Sequence, residues 1–360
     1  MNRIKRNGIL TISISWALIG LFMAFYDHFT LISHISSGPI LDYNFIYLLL
    51  FHTGAGFSGG FIGSFVLIYV NDRYRSEPYY KGIAVIVFFY ILITSVITII
   101  TSTIPPTIES PLFSDQWHKL LQENLFTTFH LKNIFFWACI VAITYFFLQM
   151  SNKFGPGNLQ KVLTGTYNTP RNEERIFMFL DLKSSTSIAE ELGSEKYHSF
   201  LKEVFADITA PILQSEGDIY QYVGDEVVIS WPMNEESNAS KCIDCFFDIR
   251  DHLAQLREIY QGRFGAIPQF KAGAHCGSVI AGEIGIIKRD IIYSGDILNT
   301  TARIQGQCNN LDSQLLISEL LFKLIDTKEQ WTFIQKDAIE LKGKKEKLNL
   351  YAVTKLHEAW

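Results

Sequence analysis

Four stretches without a single Asp, Glu, Lys or Arg, residues 8–26, 43–70, 82–108 and 133–150, crowd the first 150 positions of this 360-residue chain and constrain it more than any other feature. An α-helix rises about 1.5 Å per residue, so each run can cross a hydrocarbon layer of roughly 30 Å. A buried core helix is the alternative for any one run, but four in so short a segment favour the bilayer. Arg3, Lys5 and Arg6 precede the first run, and Arg73, Arg75 and Lys81 lie between the second and third. The connection after the first carries Asp27 and Asp42 with no Lys or Arg. Basic residues mark the cytoplasmic side, so residues 1–150 are read as a four-helix transmembrane domain with both ends in the cytoplasm. The first run has a short basic lead and no small-residue cleavage site, which makes it a retained span rather than a signal peptide.

Within the membrane half, Gly56, Gly60, Gly63 and Ser64 recur at helical spacing, the pattern of two backbones in close approach. Trp117, Leu120, Leu121, Leu125 and Phe126 predict a helix lying on the outer membrane surface. His28, His34, His52, His118 and His130 fall in or beyond the outer half. They are read as ordinary interfacial histidines, with a metal or proton sensor as the sharper alternative. An external ligand is left open.

Phe154-Gly155-Pro156-Gly157-Asn158 breaks the last helix. A short helix over 159–163 and a linker or transducer segment, residues 151–175, lead into an α+β pattern. It comprises a fully apolar strand over 176–180, helices over 187–213, and strands over 218–223 and 227–231. A helix over 238–260, a strand pair over 270–283, a strand over 291–293 and a helix over 297–307 come next. Three strands, near 315–317, 331–341 and 348–353, close the chain. Cys242 and Cys245 form a CxxC without a second pair and are read as small core residues. A net charge of −5 with no basic stripe excludes nucleic-acid binding.

Two aspartates stand at the ends of otherwise apolar strands: Asp181 after Phe177-Met178-Phe179-Leu180, and Asp225 in the turn Gly224-Asp225-Glu226. A lone Asp there is usually a cap or turn residue. If the hairpin packs beside the first strand, however, the carboxylates converge, and a hard divalent cation, magnesium or manganese, relieves their repulsion. Leu182-Lys183-Ser184-Ser185-Thr186 follows directly and opens a helix, whose free N–H groups suit a phosphate chain. A Walker-type loop is excluded, because Gly343-Lys344 precedes Lys345 and lacks the upstream glycine. Asn299 and Arg303, four apart, share one helical face.

Phe179-Leu180-Asp181-Leu182 with Ser185-Thr186, then Tyr222-Val223-Gly224-Asp225-Glu226, then Gly273-Ala274-His275-Cys276-Gly277-Ser278-Val279, then the run from Gly295 to Arg303, resemble in order the motifs of class III adenylate/guanylate cyclases. The segments Phe154-Gly155-Pro156-Gly157 and Pro170-Arg171-Asn172-Glu173-Glu174-Arg175 resemble the bacterial membrane-anchored members. The resemblance implies a ferredoxin-like α+β catalytic domain over 176–360 that works as a head-to-tail homodimer with active sites between subunits. It further implies a multi-pass protein of the cell (inner) membrane whose catalytic domain faces the cytoplasm. By position, Asp181 and Asp225 match the metal aspartates for two Mg2+ or Mn2+ ions, with the Leu182 carbonyl assisting. Ser184, Ser185 and Thr186 match the phosphate cradle. Asn299 matches the residue that orients the ribose, and Arg303 the one that stabilises the pentavalent phosphorus. Lys342 matches a lysine that reaches the terminal phosphates from the partner chain, and Lys288 or Arg289 adds a phosphate contact.

At the two positions where the resemblance places base recognition, this chain holds Gln221 and Ile292. Ile292 cannot hydrogen-bond through its side chain, whereas Gln221 offers an acceptor and a donor that match adenine N6 and N1. The resemblance therefore points to ATP converted to 3′,5′-cyclic AMP and pyrophosphate. A guanylate cyclase using GTP and a catalytically silent nucleotide-binding receptor are the alternatives.

Overall fold

The computed structural model describes residues 3–35, 45–74, 77–109, 111, 113–125, 128–155, 158–233, 238–287, 289–326, 328–340 and 347–356. Lys342, Lys288 and Phe126 lie outside them. The chain divides into two compact units, residues 1–154 and 155–360.

The first unit is helical: α1 (Arg3–Ile35), α2 (Phe45–Arg73), α3 (Tyr79–Glu109), the short α4 (Asp115–Leu125) and α5 (Thr128–Phe154). The apolar parts of α1, α2 and α5 are each long enough to cross a membrane; the described apolar part of α3, Tyr79–Ser95, is shorter. A helix, α4, stands where the sequence pattern over 117–126 predicts one.

Small residues set the packing of α1 on α2. A Cβ on Gly56 would lie 2.3 Å from the Trp16 carbonyl oxygen, and one on Gly60 would lie 2.9 Å from Trp16 Cβ and 3.0 Å from Ser13 Cα. Across the bundle, Trp16 Nε1 donates to Thr144 Oγ1 at 3.0 Å, and Asn152 Nδ2 to Asn71 Oδ1 at 3.0 Å. Asp27 is buried; its Oδ1 accepts from Lys132 Nζ at 2.6 Å, and its Oδ2 lies 3.3 Å from His52 Nε2. The other histidines with described side chains sit among aromatic rings, His28 against Phe45 and His118 against Trp117.

The second unit opens with α6 (Asn158–Leu163) and continues β1 (Arg171–Leu182), α7 (Ser185–Leu192), α8 (Ser194–Gln214), β2 (Asp218–Val223), β3 (Glu226–Pro232), α9 (Asn238–Gln255), α10 (Arg257–Phe264) and β4 (Phe270–Ile284). Then come β5 (Asp290–Ser294), α11 (Asp296–Gly306), β6 (Leu315–Ser318), α12 (Glu319–Lys323), β7 (Trp331–Glu340) and β8 (Lys347–Lys355). One sheet runs β2-β3-β1-β4-β6-β8-β7, with β5 hydrogen-bonded to β4. The first four strands of that order form the ferredoxin-like βαββαβ core.

β1 lacks an alternating pattern because both faces of the sheet are covered there. Ile176, Met178, Leu180 and Leu182 pack with Phe200, Val204 and Phe246 from α8 and α9, while Phe177 and Phe179 pack with Val228, Val279 and Ile297. Asp181 continues the second of these faces, since side chains alternate along a strand.

Three sequence expectations are corrected. The strand pair over 270–283 is one strand of 15 residues, because β1 pairs with it continuously from Leu182↔Phe270 to Arg171↔Ala281. The helix over 238–260 ends at Gln255, and α10 begins at Arg257. The strand over 176–180 extends to Arg171 and Leu182. Cys242 and Cys245 are fully buried free thiols, with burial pushing Cys245 up to about 12.

Candidate active site

Strand register assembles the acidic end of the site. Asp181 sits between Glu226 of β3 and Lys271 of β4, its direct cross-strand neighbours. Asp225 immediately precedes Glu226, after a turn in which Gly224 adopts φ 64°. Burial first, then the charges of Asp181 and Asp225, push the Glu226 carboxyl up to about 7. Tyr197 of α8 faces the same cluster; its hydroxyl is raised by burial first and then by Asp225, with a hydrogen bond to Ser185 opposing. The two aspartates thus lie close enough to act on common neighbours.

The mouth of α7 opens at this same corner. Ser184 takes a left-handed conformation, φ 55° and ψ 28°, with no side-chain cap on the helix. The N–H of Ile188 finds the Ser184 carbonyl at 3.0 Å, so the N–H groups of Ser184, Ser185 and Thr186 precede the first intrahelical bond. The residues therefore suit a cation bound to a phosphate chain: neighbouring carboxylates stand beside the positive end of a helix. Leu182 buries its side chain in the core, leaving only its backbone for a ligand. Among the described residues no three His, Cys, Asp or Glu side chains form a metal cage.

Asn299 and Arg303 occupy the outward side of α11. Ile297, Thr300, Thr301, Ile304 and Gln305 are buried against the sheet, whereas Asn299 is exposed and Arg303 half-buried. Gly273 allows that close packing: a Cβ there would lie 2.3 Å from Gln305 N and 2.6 Å from its Cα.

The two positions expected to read the base, Gln221 and Ile292, fall on different strands, β2 and β5, which their neighbours join. The Tyr293 N–H donates to Tyr220 Oη at 3.3 Å, and the two rings lie 5.0 Å apart. Gln221 is exposed and Ile292 half-buried. Behind them, buried Arg175 reaches Glu173 (3.1 Å), Asp218 (3.2 Å) and Ser230 (2.9 Å) and stacks on Tyr293 at 4.8 Å. Tyr167, ahead of β1, donates to Glu173 at 2.7 Å and accepts the Glu283 N–H at 2.9 Å. Arg289 is not brought to the aspartates of its own protomer. It sits exposed on the β4–β5 turn, 3.9 Å from Glu283. That turn follows the opposite end of β4 from Lys271, roughly 40 Å along the strand.

Glu226, Lys271, Tyr197 and Gln305 were not singled out from sequence. The available signal was a charged residue, Lys271, in the otherwise apolar opening of β4, residues 270–274.

Residues 168–355, over half of the chain, match the family described as adenylate and guanylate cyclase catalytic domain. Adenylate cyclase 2 of Rhizobium meliloti (strain 1021) is 36% identical over 212 residues, 58% of this chain and 58% of that protein. An adenylate cyclase of Anabaena cylindrica is 25% identical over 210 residues, 56% of this chain and 41% of its own length. The match thus spans about three fifths or less of these relatives. A solved bacterial light-regulated adenylyl cyclase superposes with a TM-score of 0.52 at 23% identity, covering 60% of this chain and 63% of that one, a likeness of fold.

Proposed function

Because the chain belongs to the family of adenylate and guanylate cyclase catalytic domains, we propose that it is a membrane-anchored adenylate cyclase, converting ATP to 3′,5′-cyclic AMP and pyrophosphate as a homodimer. One observation carries the reading: Asp181, Asp225 and the open end of α7 meet at one corner, while Asn299 and Arg303 face outward from the same protomer. An outward amide and guanidinium suit a second subunit's nucleotide, as a head-to-tail dimer requires. Ile286 and Ile287 of the β4–β5 turn, almost fully exposed, offer apolar surface for that association.

In this reading Asp181 and Asp225, with the Leu182 carbonyl, hold two divalent cations, magnesium or manganese. When bound, these supply Lewis-acid activation of the ribose 3′-hydroxyl and charge neutralisation at the leaving pyrophosphate. The N–H groups of Ser184, Ser185 and Thr186 anchor the phosphates. Asn299 from the partner orients the ribose for in-line attack on the α-phosphorus, and Arg303 donates where negative charge grows on the non-bridging oxygens. Lys342 and Arg289 are assigned to the triphosphate by motif position. Gln221 reads the adenine edge, with Ile292 an apolar contact to the ring.

The first unit is assigned to the cell membrane, with the catalytic unit in the cytoplasm and regulation passing through residues 151–175. Leu18, Phe22, Leu50, Ile62, Phe88 and Phe135 support this, being more than half exposed on helices where water would disfavour them. The test is the purified full-length chain in detergent with Mn2+ and either ATP or GTP. Cyclic AMP formed faster than cyclic GMP supports the assignment; cyclic GMP as the main product makes it a guanylate cyclase. Nucleotide binding without either product makes it a silent receptor.

A further inference from the structure

The carboxylate of Asp181 is held by its own protomer. Its Oδ2 accepts from Gln305 Nε2 at 3.0 Å and lies 3.0 Å from Lys271 Nζ. With two donors on Oδ2, Oδ1 is the oxygen left to turn toward Asp225. The amide orientation at Gln305 is forced, since an ionised carboxylate only accepts and the NH2 end must face it.

Gln305 has little freedom to move away. It is 8% exposed, and its backbone is seated against β4 at Gly273, where even a methyl group has no room. Cys308, one turn further on, donates to the Ala272 carbonyl and fixes the end of α11 to the same strand. A buried amide is costly unless its hydrogen bonds are made, and the bond to Asp181 offsets that cost. Arg303, two residues earlier, projects about 200° around the helix from Gln305. One helix therefore holds the Asp181 of its own subunit and presents Asn299 and Arg303 outward.

We propose that Gln305 is a positioning residue for the metal site: it fixes which oxygen of Asp181 faces the cation, and couples that carboxylate to the helix bearing Asn299 and Arg303. This rests on the reading of Asp181 as a metal ligand. The coupling gives α11 a part in two active sites of the proposed dimer, its own through Gln305 and its partner's through Arg303.

The test follows Mn2+ binding to the full-length chain in detergent, without nucleotide, by electron paramagnetic resonance and by the rise in melting temperature. Gln305→Met keeps the length and removes the donor, and Gln305→Asn is too short to reach. Both are expected to raise the half-saturating Mn2+ concentration about tenfold, the scale of one hydrogen bond to a charged group. In turnover the same shift appears in the metal dependence, with KM for ATP at saturating Mn2+ unchanged. Asp181→Asn is the reference and is expected to abolish the response. If Asp181→Asn binds Mn2+ like the unaltered chain, the parent reading fails. If Asp181→Asn loses binding while both Gln305 variants keep the unaltered curve, the Gln305 proposal alone is overturned. It is equally overturned if neither Gln305 variant folds, which would make Gln305 a packing residue.

Discussion

Replacing Gly273 by alanine should damage catalysis from behind, because α11 rests on the strand with no space for one more carbon. The added Cβ would sit 2.3 Å from Gln305 N and 2.6 Å from Gln305 Cα. Carbon contacts settle near 3.5–4.0 Å, so the helix must retreat by about 1 Å. Both neighbours are backbone atoms, which leaves no side-chain rotation to absorb the strain. Overpacking of this kind costs about 1–3 kcal/mol, or roughly 2–12 °C of melting temperature for a unit of this size. The larger effect is on rate: a misplacement of about 1 Å in catalytic groups lowers turnover by roughly 10²-fold, and Arg303 and Asn299, proposed to act in catalysis, ride on this helix. Gly282→Ala on the same strand is the control, since its Cβ would meet Pro170 at an ordinary 3.6 Å. The assay is cyclic AMP formation by the full-length chain at saturating Mn2+ and ATP, with melting measured on the same samples. Unaltered turnover and melting in Gly273→Ala would refute the close packing and everything drawn from it.

The remaining tests probe separate links. Arg303→Ala and Asn299→Ala should each lower kcat by about 10²–10³-fold, the usual cost of one donor at developing charge. Their melting should be unchanged because both side chains leave the core; a matching drop in stability would make them structural. Glu226, raised to about 7 from 4.5 by burial and then by Asp181 and Asp225, is held more tightly protonated in the fold than in the unfolded chain. Metal-free stability should therefore fall as pH rises from about 4.5 through 7, and Glu226→Gln should flatten that fall in a melting series from pH 5 to pH 8. Gly60→Leu should separate α1 from α2, at a cost of about 1–3 kcal/mol by detergent melting, because Trp16 and Ser13 already crowd that position. Gly54→Ala, with nothing within 4 Å of its added carbon, should be silent.

Much of this arrangement was legible in the residues, for reasons that differ by element. β1 announced itself by continuous apolarity, since a strand covered on both faces has no alternation, and Asp181 was conspicuous at its end. The α11 pattern separated Asn299 and Arg303 from the buried Ile297, Thr301 and Ile304 by helical spacing alone. What escaped were contacts set by register. Lys271 and Glu226 reach Asp181 only because β4 and β3 align as they do, and a shift of one residue would turn both to the opposite face. β4 looked like two strands because Gly277 and Ser278 interrupt its apolar run; pairing to β1 carries it through. Gln305 resembled any helix glutamine until Gly273 brought its backbone onto the sheet.

The division of labour on α11 has a consequence that can be measured without a structure of the dimer. If Arg303 serves the partner's nucleotide while Asp181 serves its own subunit's metal site, no single protomer holds a complete set. Asp181→Asn and Arg303→Ala should then each be nearly inactive as homodimers. In a mixed dimer one site carries both lesions and the other carries neither. Random pairing of equal amounts gives half mixed dimers with one intact site each, hence about one quarter of the unaltered activity in a two-fold head-to-tail assembly. The readout is cyclic AMP formation after co-expression or subunit exchange, against each variant alone. Partial recovery at that level locates the carboxylate and the guanidinium of one site on different chains. Mixing that returns only the sum of two inactive enzymes places both groups in the same protomer's site, and the outward face of α11 would need another explanation.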